Sequence, residues 1–146
     1  MNEVALAENF PHARFHPEAH LLTWFPSGSL TNERADEVID FIEAEEAGFG
    51  EPFHRFTDMS GYTRIQIGLD HVVRLARRRK RGYKGLPIKS AFYAVRLISV
   101  SIARMYEELM AGSLIEVRTF RDRGDVADWL GVPEALLYAK GKKPKG

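Results

Sequence analysis

From residue 53 onward the chain alternates between short runs of β-branched and aromatic residues and longer stretches whose apolar residues recur with a helical period. Residues 53–59, 87–95 and 114–120 read as strands. The first is followed by a helical pattern with Leu69, Val72, Val73 and Ala76 on one face, closed by GYKGLP. The second leads to Ile98, Ile102, Met105 and Leu109, ending near Gly112, and the third to a short helix holding Val126, Trp129 and Leu130. Asp125 is the expected cap of that last helix, Gly131 its stop, and Pro133 opens one further turn. Consecutive parallel strands need a crossover that returns along the sheet, so strict alternation predicts a parallel sheet with right-handed crossovers.

The N-terminal part reads differently. Residues 10–15 and 21–25 flank HPEAH, whose Pro17 suits a turn, so they predict a hairpin at one edge of the sheet. Thr31 then caps a helix in which Ala35, Val38, Ile39 and Ile42 recur at helical spacing, with Glu33 in the first turn and Gly48 as the expected stop. The fold class expected is α/β: one domain over residues 10–139, with a small, mixed, mostly parallel sheet flanked by helices. Residues 1–9 form an N-terminal extension and 140–146, KGKKPKG, a basic flexible tail. A chain of 146 residues, 45% hydrophobic and 28% charged, buries a core without staples.

Composition removes several chemistries. With no cysteine there are no disulfides, thiol nucleophiles or cysteine zinc sites. The start MNEVALAENF lacks a basic and an apolar leader region, and no window reaches the length of a membrane span, so a cytoplasmic location is expected. No G-x-S-x-G elbow, Walker loop or G-x-G-x-x-G loop is present. His12, His16 and His20, with Glu18 among them, are spaced by four, which gathers ligands only on a helix; Pro17 and the turn argue against one, and no metal or cofactor is expected. His54 and His71 fall in different elements, and nothing in the spacing requires Asp58 and His71 to form an acid/base pair.

Net charge is +1, but residues 1–60 carry 3 basic against 12 acidic residues, a net −9, and the remainder a net +10. Such asymmetry serves an anionic partner, an attraction between neighbouring copies, or two solvated faces of one fold. The tract RLARRRKRGYK places Arg74, Arg77, Arg78, Arg81 and Lys84 in a basic patch without an acid, with Tyr83 available to stack. Leu97, Val100 and Met110 lie off the main apolar face of the third helix, so that helix is covered either by a second copy in a homodimer or by the C-terminal segment around Trp129, Leu136 and Leu137.

Four segments carry a resemblance: SGSLTNERADEVIDFIE, TDMSGYTRIQIGL, SIARMYEELM and EVRTFRDRGDVADWL. Together, over residues 10–132, they are similar to the STAS superfamily and within it to the SpoIIAA-like branch, sometimes grouped with SEC14-type domains. The resemblance implies a small sheet flanked by helices and a non-enzymatic role, as in anti-sigma-factor antagonists and transporter regulatory domains. In the switching antagonists a D-x-S-G-like strand end leads to a phosphoacceptor serine just before a Gly-Leu pair. Here Asp58, Ser60 and Gly61 match the first part, and Gly68 and Leu69 the last, but the loop is one residue shorter and Ile67 stands at the phosphoacceptor position. An isoleucine has no oxygen to phosphorylate, which leaves Ser60 and Thr63 as the nearest hydroxyls.

The loop at the end of the 53–59 strand runs into a helix N-terminus, where open α/β sheets bind ligands. Its residues Asp58, Ser60, Gly61, Thr63, Arg64 and Gly68 form the expected ligand- or partner-binding surface, with Arg64 as the anion contact. The function expected is a regulatory or protein-interaction module, homodimeric, with an unidentified protein partner; a binder of nucleic acid or anionic lipid through the basic second helix is the least favoured alternative. A carrier of a small hydrophobic or lipid-like ligand is the alternative, and an apolar cavity would be its mark.

Overall fold

The computed structural model describes residues 4–7 and 10–139. In chain order the strands are β1 (Val4–Ala7), β2 (Phe10–His16), β3 (Leu21–Trp24), β4 (Gly28–Leu30), β5 (His54–Asp58), β6 (Tyr62–Ile65), β7 (Ile88–Tyr93) and β8 (Ile115–Phe120). The helices are α1 (Asn32–Phe49), α2 (Leu69–Gly82), α3 (Leu97–Leu109) and α4 (Arg123–Leu130). This is one α/β domain with a mixed, mostly parallel sheet.

The main sheet runs β1-β2-β3-β5-β7-β8. The first three strands pair antiparallel and the last four parallel, so β3 is the hinge between the two modes. Pro17–Ala19 forms a single 3-10 turn between β2 and β3, closed by His20 at φ 47°, and the expected hairpin is in place. β1 extends its edge. The tail 140–146 and most of the extension 1–9 lie outside the described residues.

Every crossover among β3, β5, β7 and β8 steps in the same direction along the sheet. Crossovers of one hand that all step one way must cross the same face. Accordingly, Ala35 of α1, Leu75 of α2 and Val100 and Ala103 of α3 share one cluster with Met59, Tyr62 and Ala94. Ala76 and Met110 pack further along the same face against Ile88, Ile115 and Val117. The opposite face is covered by α4 and the turn Glu134–Leu137, where Val126, Ala127, Leu130 and Leu137 close over Leu21, Phe56 and Ala91. Alternation along β5 sorts the two layers, with Phe56 toward α4 and Arg55 and Thr57 toward the three helices.

Several expectations are corrected by this arrangement. The segment around Trp129, Leu136 and Leu137 does not cover α3, because it lies across the sheet from it. Val100 and Met110 are buried instead against α2 and the sheet, while Leu97 stays 82% exposed. α1 continues past Gly48 and stops at Gly50, which takes the left-handed conformation at φ 73°. The cap of α4 is Asp122, whose carboxylate accepts the Asp125 N–H at 3.1 Å, so Asp125 is a first-turn residue. The stretch read as a loop after β5 contains β6, which pairs in parallel with β4 as a separate two-stranded ribbon. Strands of three and four residues are too short to show a period.

Candidate functional site

The central feature is a cavity of about 150 Å³ between the sheet and α1, α2 and α3. Its walls are mainly apolar, with Leu30, Ile39, Ile67, Leu75, Ile102 and Ala103 among them. Ala103 is the small residue that leaves room on α3, and Ser90 and Thr57 keep the sheet floor low. The volume matches cavities that hold one benzene-sized molecule.

Polar groups enter this cavity from the strands. Trp24, at the end of β3, borders the cavity, and its buried indole N–H lies beside the Tyr62 hydroxyl. Arg55, near the start of β5, is 5% exposed and lines both the cavity and a surface groove bounded by Pro52, Tyr83 and Lys84. Its guanidinium stacks over Phe53 at 4.4 Å. Burial pushes it down to about 10, with the neighbouring Arg79 adding to the shift and Glu46 opposing it.

Arg55 ends one side of an ion-pair ladder that accounts for the charge asymmetry. The acids of α1 face the basic residues of α2: Asp36 bonds His71 at 2.7 Å, Asp40 and Glu43 each bond Arg78 at 2.6 Å, and Glu46 grips Arg79 through two bonds of 3.0 and 2.5 Å. Spacings of three and four on α1 put these carboxylates in one stripe. The acidic and basic halves of the sequence therefore meet within one chain. Glu46 Oε2 also pairs with Arg55 Nη2 at 2.7 Å, so one carboxylate bridges the two buried guanidinium groups. Burial pushes the Glu46 carboxyl up, yet the hydrogen bond from Arg79 and the charges of Arg55 and Arg79 outweigh it and hold it below its ordinary value.

The loop from Asp58 to Gly68 stands above this cavity, and its residues are largely bound to the frame. Asp58 is buried, accepts the Ser60 N–H at 2.9 Å and the Ser60 hydroxyl at 2.6 Å, and pairs with Arg123 of α4. Gly61 packs onto the Pro26 carbonyl. The Thr63 hydroxyl donates to the Gly28 carbonyl at 3.2 Å, and the Gly68 N–H donates to Asn32 Oδ1 at 2.8 Å, tying the starts of α1 and α2 together. Arg64 is exposed. Ile67 reaches inward, packing on the cluster around Leu30 and Tyr62, where it forms part of the cavity wall.

The basic tract divides. Arg78 and the buried Arg79 are engaged by α1, Arg74 bonds His71 at 3.2 Å, and Arg77, Arg81 and Lys84 are exposed. His16 is buried with its ring on the Thr23 hydroxyl at 2.9 Å, whereas His12 and His20 are exposed. His54 Nδ1 accepts the Lys89 N–H at 2.9 Å. Among the described residues no three His, Asp or Glu side chains gather as a metal set, and no helix is long and apolar enough to cross a membrane.

The loop residues carry the sequence signals of a binding surface, whereas Arg55, Trp24 and Ala103, which border the cavity, are not marked by any motif. A signal was available at Arg55: an arginine between Phe53 and Phe56 in a run read as a core strand needs a buried partner.

No protein-family model matches the chain, and no curated protein is significantly similar to it. Among solved structures, it is similar to an uncharacterised protein of the DUF3478 family with a SpoIIAA-like fold from Shewanella loihica PV-4. The two are 20% identical, the match covers 75% of this chain and 83% of the other, and the TM-score is 0.49.

Proposed function

We propose that the protein is a non-enzymatic binding module that takes a small, largely apolar ligand between its sheet and its three covering helices. One observation carries this reading: a cavity of about 150 Å³ lined mostly by apolar side chains, with Trp24, Arg55 and Tyr62 among the few polar residues on its border. The residues of the loop 58–68 then act as its frame, with Ile67 as wall and Arg64 as the charge left for a partner. The groups that would serve acid/base chemistry are engaged elsewhere, Asp58 by Ser60 and Arg123 and His71 by Asp36, which supports a binding role.

The two tryptophans provide the test, because Trp24 lines the cavity and Trp129 packs on the opposite face. In a ¹⁵N-labelled sample titrated with benzene, the Trp24 indole resonance should move saturably while that of Trp129 stays still. Ala103→Leu, which fills the cavity, should abolish the shift. An unmoved Trp24 signal up to the solubility of benzene rejects the reading.

A second reading, a protein-interaction surface, is favoured by the exposed apolar turn at the start of α3, where Val95, Leu97 and Ile98 are 40%, 82% and 46% exposed.

A further inference from the structure

We propose that the outer face of α2 is a docking surface for the phosphate backbone of double-stranded nucleic acid. Arg74, Arg77 and Arg81 are exposed and follow one another at spacings of three and four, so they form a single stripe about 10 Å long, with a cation at each turn. The exposed Lys84 follows just past the helix end.

The acids of α1 could neutralise this tract, but they reach only the side of α2 that faces them, through His71, Arg78 and Arg79. Among the described residues no acid pairs with Arg74, Arg77, Arg81 or Lys84; Arg74 bonds the His71 ring. The helix dipole does not account for the stripe either. It favours cations in the last turn, Arg79, Lys80 and Arg81, whereas Arg74 and Arg77 stand further back. Cations three and four residues apart repel one another, so the stripe opposes the helix that carries it until an anion lies along it.

The neighbouring groups select the anion. An anionic bilayer takes up apolar side chains together with cations, yet no apolar residue between Arg74 and Lys84 is exposed, and Leu69 and Leu86 lie beyond the two ends. A single strand is gripped by aromatic side chains that stack on its bases. Tyr83, expected to stack, is instead buried, with its hydroxyl donating to the Leu86 carbonyl at 2.5 Å. What remains is a row of guanidinium groups on a rigid helix, which contacts phosphates and reads no base. A duplex holds its phosphates in a fixed row, so matching the stripe costs it less ordering than a flexible acidic chain would pay.

Anisotropy of a fluorescein-labelled DNA duplex of about 20 base pairs, titrated with the full chain at neutral pH, tests the assignment. Neutralising about four phosphates gives a fall in affinity of roughly 100-fold between about 50 and 200 mM salt, the same for two duplexes of unrelated sequence. Arg77→Glu combined with Arg81→Glu should weaken binding at least about tenfold at the lower salt, while Arg118→Glu with Arg121→Glu, an equal change in net charge at the end of β8, should change it less than about threefold. Absence of binding by the wild-type chain at the lower salt, or binding that salt does not weaken, overturns the proposal. Equal weakening by the two double variants overturns it too, since it reports net charge and no surface. Tighter binding, charge for charge, to phosphatidylserine vesicles, poly-glutamate or a single strand assigns the stripe to another partner and overturns the duplex. The salt series and the probe comparison use the wild-type chain, so they do not depend on any variant folding, and every outcome is independent of the cavity.

Discussion

Gly61 has no space for a side chain. A Cβ built there would lie 2.1 Å from the Pro26 carbonyl oxygen, and both partners are backbone, so the contact cannot relax by rotating a side chain. Gly61→Ala should therefore destabilise the fold by about 1–3 kcal/mol in urea unfolding; a loss below about 0.5 kcal/mol would mean that the loop shifts freely. Of the six loop residues expected from the sequence to form a binding surface, Asp58 is buried and the other five are exposed, although Ser60, Thr63 and Gly68 are also hydrogen-bonded into turns and helix starts. Their types were legible in the sequence because a turn of this geometry needs them. Which way each side chain faces was set by Pro26, Gly28, Asn32 and Arg123, which come from other parts of the chain.

At the scale of elements, two titrating groups join pieces of structure, and each gives a pH signature. His54, at the start of β5, has a pKa lowered by burial and by the charges of Lys89 and Arg55. The unfolded chain therefore takes up a proton first as pH falls below about 6.5, and stability drops across that window. Glu46 joins α1 to α2 and β5, and its net shift is also downward, so its contribution is present above about 4.5 and lost as pH falls through the folded value. Urea midpoints between about pH 7 and 3 should show both losses. His54→Asn, which keeps an acceptor for the Lys89 N–H, should flatten the upper loss alone, and an unchanged slope there would remove His54 as its source. The periodicities of α1 and α2 were readable, and so was the opposition of their charges. That the acids and bases meet within one chain was not, because the sequence does not say which faces of two separated helices will touch.

For the whole molecule, the exposed turn at the start of α3 bears on oligomeric state. If it is the contact of a homodimer, native mass spectrometry should find twice the chain mass of 16.6 kDa, and Leu97→Glu should return the protein to monomer. A monomer at micromolar concentration in the wild type would remove that contact. The order of the four helices and of the main-sheet strands from β2 onward, the hairpin, the parallel run from β5 to β8 and the single domain followed from the sequence itself, since apolar period and the presence or absence of a crossover are local properties. The cavity was beyond its reach. Its volume is the difference between what twenty or so side chains from nine elements fill and what they enclose, and no window of sequence contains that difference. The sequence determined that Ala103 is small and that Arg55 is charged; only the tertiary structure decided that the two would border the same empty space, with the guanidinium paired to Glu46 from another element.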